Sequence, residues 1–284
     1  MRNIAAFAAA VACAVVTTVA SAGASTAAPP PQDAVTRAVP AAAQTQTSGY
    51  WTKARLESAA GQAAVPGPVH FYGVPTVGAL FYTTGRQAHF CTASVVDSTR
   101  GDIILTAAHC VYGSSYAANL AYVPKWHGGE TPYGVWAVTR ITVARGWVSA
   151  RNPDLDFAFL TVAPPHKGGV PVQKVTGGLR LGVNTGYQHK IYVIGYNNTD
   201  REPVGCAAAS TRFKPSQQKF SCPDFQNGTS GASWILGLNR RTGGGTVIGD
   251  IGGYEQGGDH ADVSYSPYYS APILTLFQQA QHTS

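Results

Sequence analysis

The sequence predicts an all-β protein, and three observations support that fold class. Short apolar stretches recur from about residue 70 onward, and turn-forming residues separate them. Glycine (32 residues) and proline (18 residues) are abundant in a chain of 284 residues, which suits many turns. Charged residues make up only 12% of the chain, fewer than long exposed helices would carry. We therefore expect a β-sandwich or β-barrel architecture.

The first residues have the pattern of a secretory signal peptide. Arg2 precedes an apolar, alanine-rich run, Ile4–Ala20, and the small residues Ala20–Ala22 offer a cleavage site. A membrane anchor is the alternative, but the run is short and only weakly apolar for spanning a bilayer. We expect residues 1–22 to be removed, and the protein to be secreted and free of the membrane afterwards.

Residues 23–64 lack the apolar periodicity of a folded element. They are rich in Ala, Pro, Gln and Thr, a composition that builds little hydrophobic core. We expect this stretch to be disordered or to be a pro-segment, with ordered structure beginning near Val69.

The strand candidates fall into two series, which predict two β domains at residues 65–165 and 166–284. The first series comprises residues 76–82, 91–96, 102–108, 136–143 and 156–162. The second series comprises residues 190–196, 219–222, 232–238 and 246–253. A stretch rich in Pro and Gly, residues 163–171, separates them. Helical spacing occurs in residues 271–281, where one face carries Ile273, Leu276, Phe277 and Ala280.

The cysteines suggest disulfide bonds, because a secreted protein meets an oxidising environment. Four of the five cysteines follow the signal peptide: Cys91, Cys110, Cys206 and Cys222. Four cysteines allow three pairings, and the local one, Cys91 with Cys110 and Cys206 with Cys222, closes two loops of similar size. A zinc site is the alternative use, but the C-x-x-C or H-x-x-x-H spacing of such sites is missing.

Two stretches offer a base and a carboxylate, which a weak hydroxyl nucleophile needs for activation. LTAAHC ends an apolar strand on His109, which is either a general base or a structural histidine. NPDLDFAFL places Asp156 at the head of a strand so apolar that a buried carboxylate would need a partner. Asp154, two residues earlier, fits a solvated loop carboxylate better.

A third stretch, FQNGTSGASW, offers the nucleophile. Gly228 and Gly231 flank Ser230, so the backbone can turn tightly and its N–H groups can converge on one point. Such a turn is common, but this one lies directly before the apolar stretch ASWILGL, where a strand is expected.

CTASVV with LTAAHC, the D-F-A-F strand and G-T-S-G before a strand resemble the trypsin/chymotrypsin-like serine peptidases. Within that group the chain resembles the secreted bacterial branch that includes the glutamyl endopeptidases, from about residue 70 to 280. The resemblance implies two antiparallel six-stranded β-barrels and a C-terminal helix, with the active site between the barrels. It also implies that His109 is the general base, Asp156 its orienting partner and Ser230 the nucleophile. The N–H groups of Gly228 and Ser230 would then form the oxyanion hole.

The resemblance suggests a specificity pocket at Asp224, Gly252 and Gly253. Asp224 precedes Ser230 by the spacing at which trypsin-like enzymes place the acidic floor of that pocket. In those enzymes a cysteine lies between the two residues, whereas Cys222 here precedes Asp224, so a solvated turn is the alternative. The residue preference at the cleaved bond therefore stays open.

Three departures from the family pattern bear on activation and specificity. Thr229 occupies the position of the aspartate that pairs with a newly freed N-terminus in trypsin-like zymogens, so we do not expect that activation route. Ala232 stands where the family usually has Gly or Ser, which is a mild change that we do not expect to abolish activity. The stretch VIGDIGG carries Asp250 where the glutamyl branch has a histidine, which disfavours cleavage after glutamate unless His260 substitutes.

The expected function is that of a secreted serine endopeptidase, a monomer that acts on proteins or peptides through an acyl-enzyme on Ser230. No metal or cofactor is expected. Nucleic-acid binding is not expected either. The net charge is +6, but the sequence has no run in which basic and aromatic residues alternate. One alternative is a catalytically silent binding protein with a peptidase fold. Another, an α/β-hydrolase esterase using Ser230, Asp250 and His260, lacks the second glycine of its nucleophile motif.

Overall fold

The computed structural model describes residues 34–59 and 70–282. The signal peptide expected at residues 1–22 lies outside the described residues. Within those two ranges, no helix is long and apolar enough to cross a membrane.

The described residues form fourteen strands and five α-helices. In chain order these are β1 (Ala34–Ala38), α1 (Ala41–Tyr50), α2 (Lys53–Ala59), β2 (Val77–Thr84), β3 (Gln87–Val95), β4 (Ile103–Thr106), β5 (Ala118–Pro124), β6 (Trp136–Ala144), α3 (Arg145–Ala150), β7 (Ala158–Val162), α4 (Val172–Thr176), β8 (Arg180–Leu181), β9 (His189–Tyr196), β10 (Pro203–Lys214), β11 (Gln217–Ser221), β12 (Ser233–Leu236), β13 (Thr246–Asp250), β14 (Val263–Pro267) and α5 (Ala271–His282). Short 3₁₀ turns occur at Ala108–Cys110, Pro153–Leu155 and Tyr254–Gly257.

The first sheet contains a closed barrel. Its strand order is β1-β6-β5-β2-β3-β4-β7, and β6 also pairs with β7, which closes the six strands β2–β7 into a ring. β1 lies outside that ring as an extra antiparallel strand on β6. The barrel interior is filled by buried side chains that include Leu80, Tyr122 and Leu160.

The second sheet has the order β14-β11-β10-β9-β12-β13-β8. Six of its strands are antiparallel neighbours, and the two-residue β8 adds in parallel to β13. Its two ends approach each other beyond β13, where the Gly252 N–H donates to the Tyr265 carbonyl (3.1 Å) and the Asp250 N–H to Ser266 Oγ (3.0 Å). Because every pair of neighbouring strands except β8 and β13 is antiparallel, the esterase alternative, which requires a parallel α/β sheet, is wrong.

One hydrophobic core joins the two sheets. Phe81 and Phe90 of the first barrel share it with Tyr196 and Ile235 of the second sheet. The C-terminal helix is confirmed as α5, which buries Ile273, Leu276 and Ala280, while the Phe277 ring packs 5.1 Å from that of Phe159. The all-β fold with a C-terminal helix is therefore confirmed. The strands of the first sheet precede residues 163–171, and those of the second sheet follow them.

Residues 34–59, which we name the N-terminal strap, correct one expectation. Disorder is the wrong description for this part of the segment 23–64, because β1 pairs along its length with β6 and two helices follow. Trp51 is 3% exposed and Leu56 is 1% exposed, and the Trp51 indole N–H donates to the Asn119 carbonyl at 2.6 Å. Two large apolar side chains thus anchor a stretch whose overall composition suggested no core. Its being a pro-segment stays a prediction.

Candidate active site

His109 lies in the 3₁₀ turn that follows β4, at the edge of the first barrel. The disulfide between Cys91 and Cys110 ties this turn to β3. His109 Nδ1 lies 2.8 Å from Asp156 Oδ2, and the His109 backbone N–H donates to Asp156 Oδ1 at 2.9 Å. An ionised carboxylate can only accept hydrogen bonds, so the ring proton is placed on Nδ1 and leaves the Nε2 lone pair free. That tautomer is the one a general base needs.

Asp156 is fully buried between the 3₁₀ turn Pro153–Leu155 and β7. Its carboxylate accepts three N–H groups: the backbone and Nδ1 of His109, and the backbone of Gly253 at 2.9 Å from Oδ2. Burying an ion is costly unless hydrogen bonds replace its hydration, and these three donors supply that replacement. Asp156 is therefore equipped to hold the imidazole in one orientation.

Asp154 has a structural role that sequence reasoning missed. Its carboxylate accepts hydrogen bonds from Ser216 Oγ at 2.6 Å and from Gln217 Nε2 at 2.7 Å. The expectation of a solvated loop carboxylate is wrong, because these bonds fasten the loop before β7 to β11 of the second sheet.

Ser230 lies in a tight turn just before β12. Gly228 (φ +99°) and Gly231 (φ +81°) both adopt backbone angles that favour glycine. A Cβ on Gly231 would overlap the Thr92 carbonyl oxygen, so the turn packs directly against β3. Thr229 turns its hydroxyl inward, where it donates to the Gln226 carbonyl at 2.7 Å.

Thr92 of β3 connects the turn at residues 228–231, which we name the Ser230 turn, to the first barrel. Its N–H donates to the Ser230 carbonyl at 2.7 Å, and its hydroxyl donates to the Gly228 carbonyl at 3.1 Å. The same hydroxyl accepts the Tyr196 N–H of β9 at 3.0 Å. One side chain thus fixes the position of Ser230 relative to the barrel that carries His109.

The backbone N–H groups of Gly228 and Ser230 are available to a ligand. Neither donates to an acceptor among the described residues, whereas the adjacent N–H of Thr229 donates to Gln226 (3.2 Å) and that of Gly231 to Ile251 (2.7 Å). Two free donors beside a serine hydroxyl suit a developing oxyanion.

His109 and Ser230 line two cavities together. The larger, about 530 Å³, also contains Ile251 and three ionisable side chains, Glu255, Asp259 and His260. The other, about 430 Å³, extends past the Cys91 disulfide and reaches the end of the N-terminal strap at Ser58 and Ala59. The pair therefore lies in a groove that continues in two directions, as an extended ligand such as a polypeptide requires.

None of the three residues expected in the specificity pocket lines the larger cavity. The Asp224 carbonyl accepts the Asn197 side-chain N–H at 3.0 Å. Gly252 and Gly253 lie against Asp156. The Gly253 N–H donates to the Asp156 carboxylate, and a side chain on Gly252 would collide with the Asp156 carbonyl oxygen. His260, considered as a substitute for the glutamyl-branch histidine, does line the cavity.

Asp250 is the second buried carboxylate of this region, and no role for it follows from the sequence alone. Its Oδ1 accepts the Tyr269 hydroxyl at 2.7 Å, while Oδ2 has no hydrogen-bond partner among the described residues. Burial, and next the charge of Asp156, raise the pKa of Asp250 well above its ordinary value. The pattern that marked Asp156, a carboxylate adjoining an apolar strand, also applies to Asp250.

Both local disulfides are present. Cys91 pairs with Cys110, and Cys206 of β10 pairs with Cys222, the residue after β11. The zinc alternative is wrong because all four sulfurs are used in these bonds.

Comparison with known proteins agrees with this geometry. The Trypsin family model matches residues 67–214, a range that includes His109 and Asp156 and ends before Ser230. A thermostable serine protease, AL20, from an extremophilic microorganism is 25% identical, with a TM-score of 0.66 over 74% of this chain and 98% of that one. No curated protein matches the chain.

Two further solved structures share the fold. The protease Anisep from Arthrobacter nicotinovorans is 24% identical, with a TM-score of 0.65 over 75% of this chain and 99% of that one. A Glu endopeptidase is 18% identical, with a TM-score of 0.58 over 77% of this chain and 98% of that one.

Proposed function

Since the chain belongs to the trypsin family and is a serine endopeptidase, we propose that it is secreted and hydrolyses peptide bonds through an acyl-enzyme on Ser230. The observation that carries this proposal is the placement of His109, which is held by buried Asp156 on one side and shares a groove with Ser230.

The proposed reaction begins when the Ser230 hydroxyl attacks the carbonyl carbon of the scissile bond. His109 Nε2 takes the hydroxyl proton, and the oxygen of the tetrahedral intermediate binds the N–H groups of Gly228 and Ser230. His109 then gives the proton to the leaving amine, which departs and leaves an ester on Ser230. Water, deprotonated by His109, attacks that ester, and His109 returns the proton to the Ser230 oxygen as the carboxylic acid product leaves. Asp156 stabilises the imidazolium in both steps.

Secretion and a latent precursor are part of the proposal. The signal-like residues 1–22 and the two disulfides support export to an oxidising compartment. The inward hydrogen bond of Thr229 supports an activation route other than an ion pair with a new N-terminus. The residue preference is left open, and Asp224 as the pocket floor and a monomeric state stay predictions.

Covalent labelling with a serine-directed phosphonate tests the proposed chemistry. We expect the protein to lose peptidase activity with one label, and peptide mapping to place that label on Ser230. Ser230→Ala and His109→Ala should each lower turnover by about 10⁶-fold while the protein stays folded, because the triad acts as a unit.

Ser149→Ala, a change on α3 outside the groove, is the matched control and should label normally. A correctly folded protein that binds peptides but neither labels nor cleaves would instead support the silent binding protein.

A further inference from the structure

Asp250 and Asp156 converge on the space beside Gly252. A Cβ atom on Gly252 would lie 3.1 Å from Asp250 Oδ2 and 3.3 Å from Asp156 Oδ2. It would also lie 2.8 Å from the Asp156 carbonyl oxygen, closer than such contacts allow. Glycine at this position therefore leaves room for two carboxyl groups, one of which holds the catalytic histidine.

The two carboxyl groups differ in the hydrogen bonds they receive. Asp156 accepts three N–H groups, whereas Asp250 accepts one hydroxyl, that of Tyr269, and its Oδ2 accepts none from any described residue. No cation pairs with Asp250 within the described ranges, where the His109 ring is paired with Asp156. Two buried anions sharing one site repel each other, so the pair retains a proton on the less solvated group. That group is Asp250.

We propose that Asp250 is a positioning residue for the catalytic pair, a neutral carboxylic acid whose Oδ2–H donates to the Asp156 carboxylate. Oδ1 already accepts from Tyr269, so Oδ2 is the oxygen that carries the proton. The added donor holds Asp156 in the orientation that fixes the Nδ1 proton of His109, without adding a second negative charge. This role rests on the proposed function, in which His109 is the base.

The groups around Asp250 agree with a neutral acid. It faces Asp156 from the loop before β7, Tyr269 from the segment before α5, and Ser233, its neighbour on β12. Ser266 of β14 accepts the Asp250 backbone N–H. Burial also raises the pKa of the Tyr269 hydroxyl well above its ordinary value, so that group stays protonated and remains a donor.

The direction of the pH dependence follows from the raised pKa of Asp250. The folded protein binds this proton more tightly than the unfolded chain does. The contribution to stability is therefore complete below the ordinary pKa of an aspartate. It is lost progressively as the pH rises toward the raised pKa of the folded state.

Kinetics and proton NMR on Asp250→Ala and Asp250→Asn test the positioning role. Asp250→Ala should lower kcat by roughly 10- to 100-fold, the range for groups that orient a functional histidine from behind, with KM little changed. It should also shift or broaden the low-field resonance of the His109 Nδ1 proton. Asp250→Asn keeps an N–H donor and should stay within a few-fold of the unmodified protein in both measurements.

Asp102→Asn is the matched control. Asp102 Oδ1 is also a buried oxygen without a hydrogen-bond partner among the described residues, while Oδ2 pairs with Arg100. Asp102 immediately precedes β4, whereas His109 follows that strand. It should leave kcat and the His109 resonance unchanged. Equal effects in Asp102→Asn and Asp250→Ala, or an effect on KM alone, would overturn the positioning role.

Unfolding measured against pH in a Ser230→Ala background tests the proton itself. With Asp250 present, the folding equilibrium constant should fall by up to about tenfold per pH unit above the ordinary aspartate range, the slope for one proton. Adding Asp250→Asn should remove that slope, and an unchanged slope would overturn the neutral-acid assignment. Neither this measurement nor the NMR needs peptidase activity. A failure of Ser230 labelling would therefore count against the proposed function and not against the protonation of Asp250.

Discussion

In the Ser230 turn, the backbone conformation limits which residue can stand at a position more than side-chain chemistry does. Gly228 has a left-handed φ, and a Cβ there would lie 2.6 Å from the Tyr196 carbonyl oxygen and 2.8 Å from the Asn198 nitrogen. A larger residue must therefore move the peptide whose N–H is one of the two free donors. In the proposed mechanism, this position serves the oxyanion through its main-chain N–H, and no side chain can substitute.

Gly228→Ala should lower kcat for a peptide substrate by roughly 10²- to 10³-fold, the cost of losing one oxyanion donor. Gly237→Ala is the control, because Gly237 also has positive φ (+59°) but open space around a Cβ. That control carries the backbone strain without the clash and should keep its kcat. If both variants lose activity equally, strain and not the oxyanion donor is responsible.

The triad candidates could be predicted at this scale, since each lies in a short motif. The contacts that support them could not be predicted. The Gly253 N–H on Asp156, the Asp250 carboxyl beside it and the Thr92 hydroxyl beneath Gly228 all join residues far apart in sequence. No local pattern shows which barrel faces which loop, so these contacts follow only from the folded chain.

At the scale of elements, apolar runs predicted strands correctly. Strands rich in small or polar residues could not be predicted in this way. All nine predicted stretches contain a strand. Five strands were not predicted: β1 of the N-terminal strap, the two-residue β8, and β5, β10 and β14. The residues of the last three (ANLAYVP, PVGCAAASTRFK and VSYSP) mix Ala, Gly, Ser and Pro with few β-branched side chains. Such strands are stabilised by pairing with neighbours, which a single sequence does not reveal.

The N-terminal strap was missed for a related reason: few of its side chains are large and apolar, and those few are deeply buried. Trp51→Ala should lower the free energy of unfolding by about 3–5 kcal/mol, because it leaves a cavity beside Phe81 and removes the bond to Asn119. Urea unfolding of the Ser230→Ala protein retaining the strap would measure this. Lys53→Ala, at an exposed position of α2, should change stability little. A negligible effect of Trp51→Ala would mean that the strap is not part of the folded core.

At the scale of the whole molecule, the candidate active site depends on the first barrel and the second sheet keeping one relative position. Thr92 helps to fix that position through three hydrogen bonds, which connect β3 to the Ser230 turn and to β9. The carboxylate of Asp154 adds a second connection through Ser216 and Gln217. Buried polar bonds of this kind fix a unique packing between surfaces that apolar contact alone would let slide.

Thr92→Val keeps the side-chain shape but removes the hydroxyl, so the Tyr196 N–H and the Gly228 carbonyl lose a buried partner. We expect a loss of about 1–3 kcal/mol in unfolding free energy for each unpaired group, together with a lower kcat. Thr83→Val removes hydroxyl bonds made within the first barrel, to Ala118 and Asn119, and should cost stability without lowering kcat. An unchanged kcat in Thr92→Val would show that the first barrel and the second sheet keep their relative position without the Thr92 hydroxyl.

Because the N-terminal strap is buried, cleavage of the chain after it would not by itself expose the groove. A chain cut just after Ala59 would keep the strap in place, because the β1–β6 ladder and the side chains of Trp51 and Leu56 hold it without a covalent link. The product would migrate as two polypeptides on a denaturing gel and elute as one particle from a native column. Ser58 and Ala59 would still border the smaller cavity. Maturation would then have two separately measurable events, proteolysis and dissociation of a bound fragment.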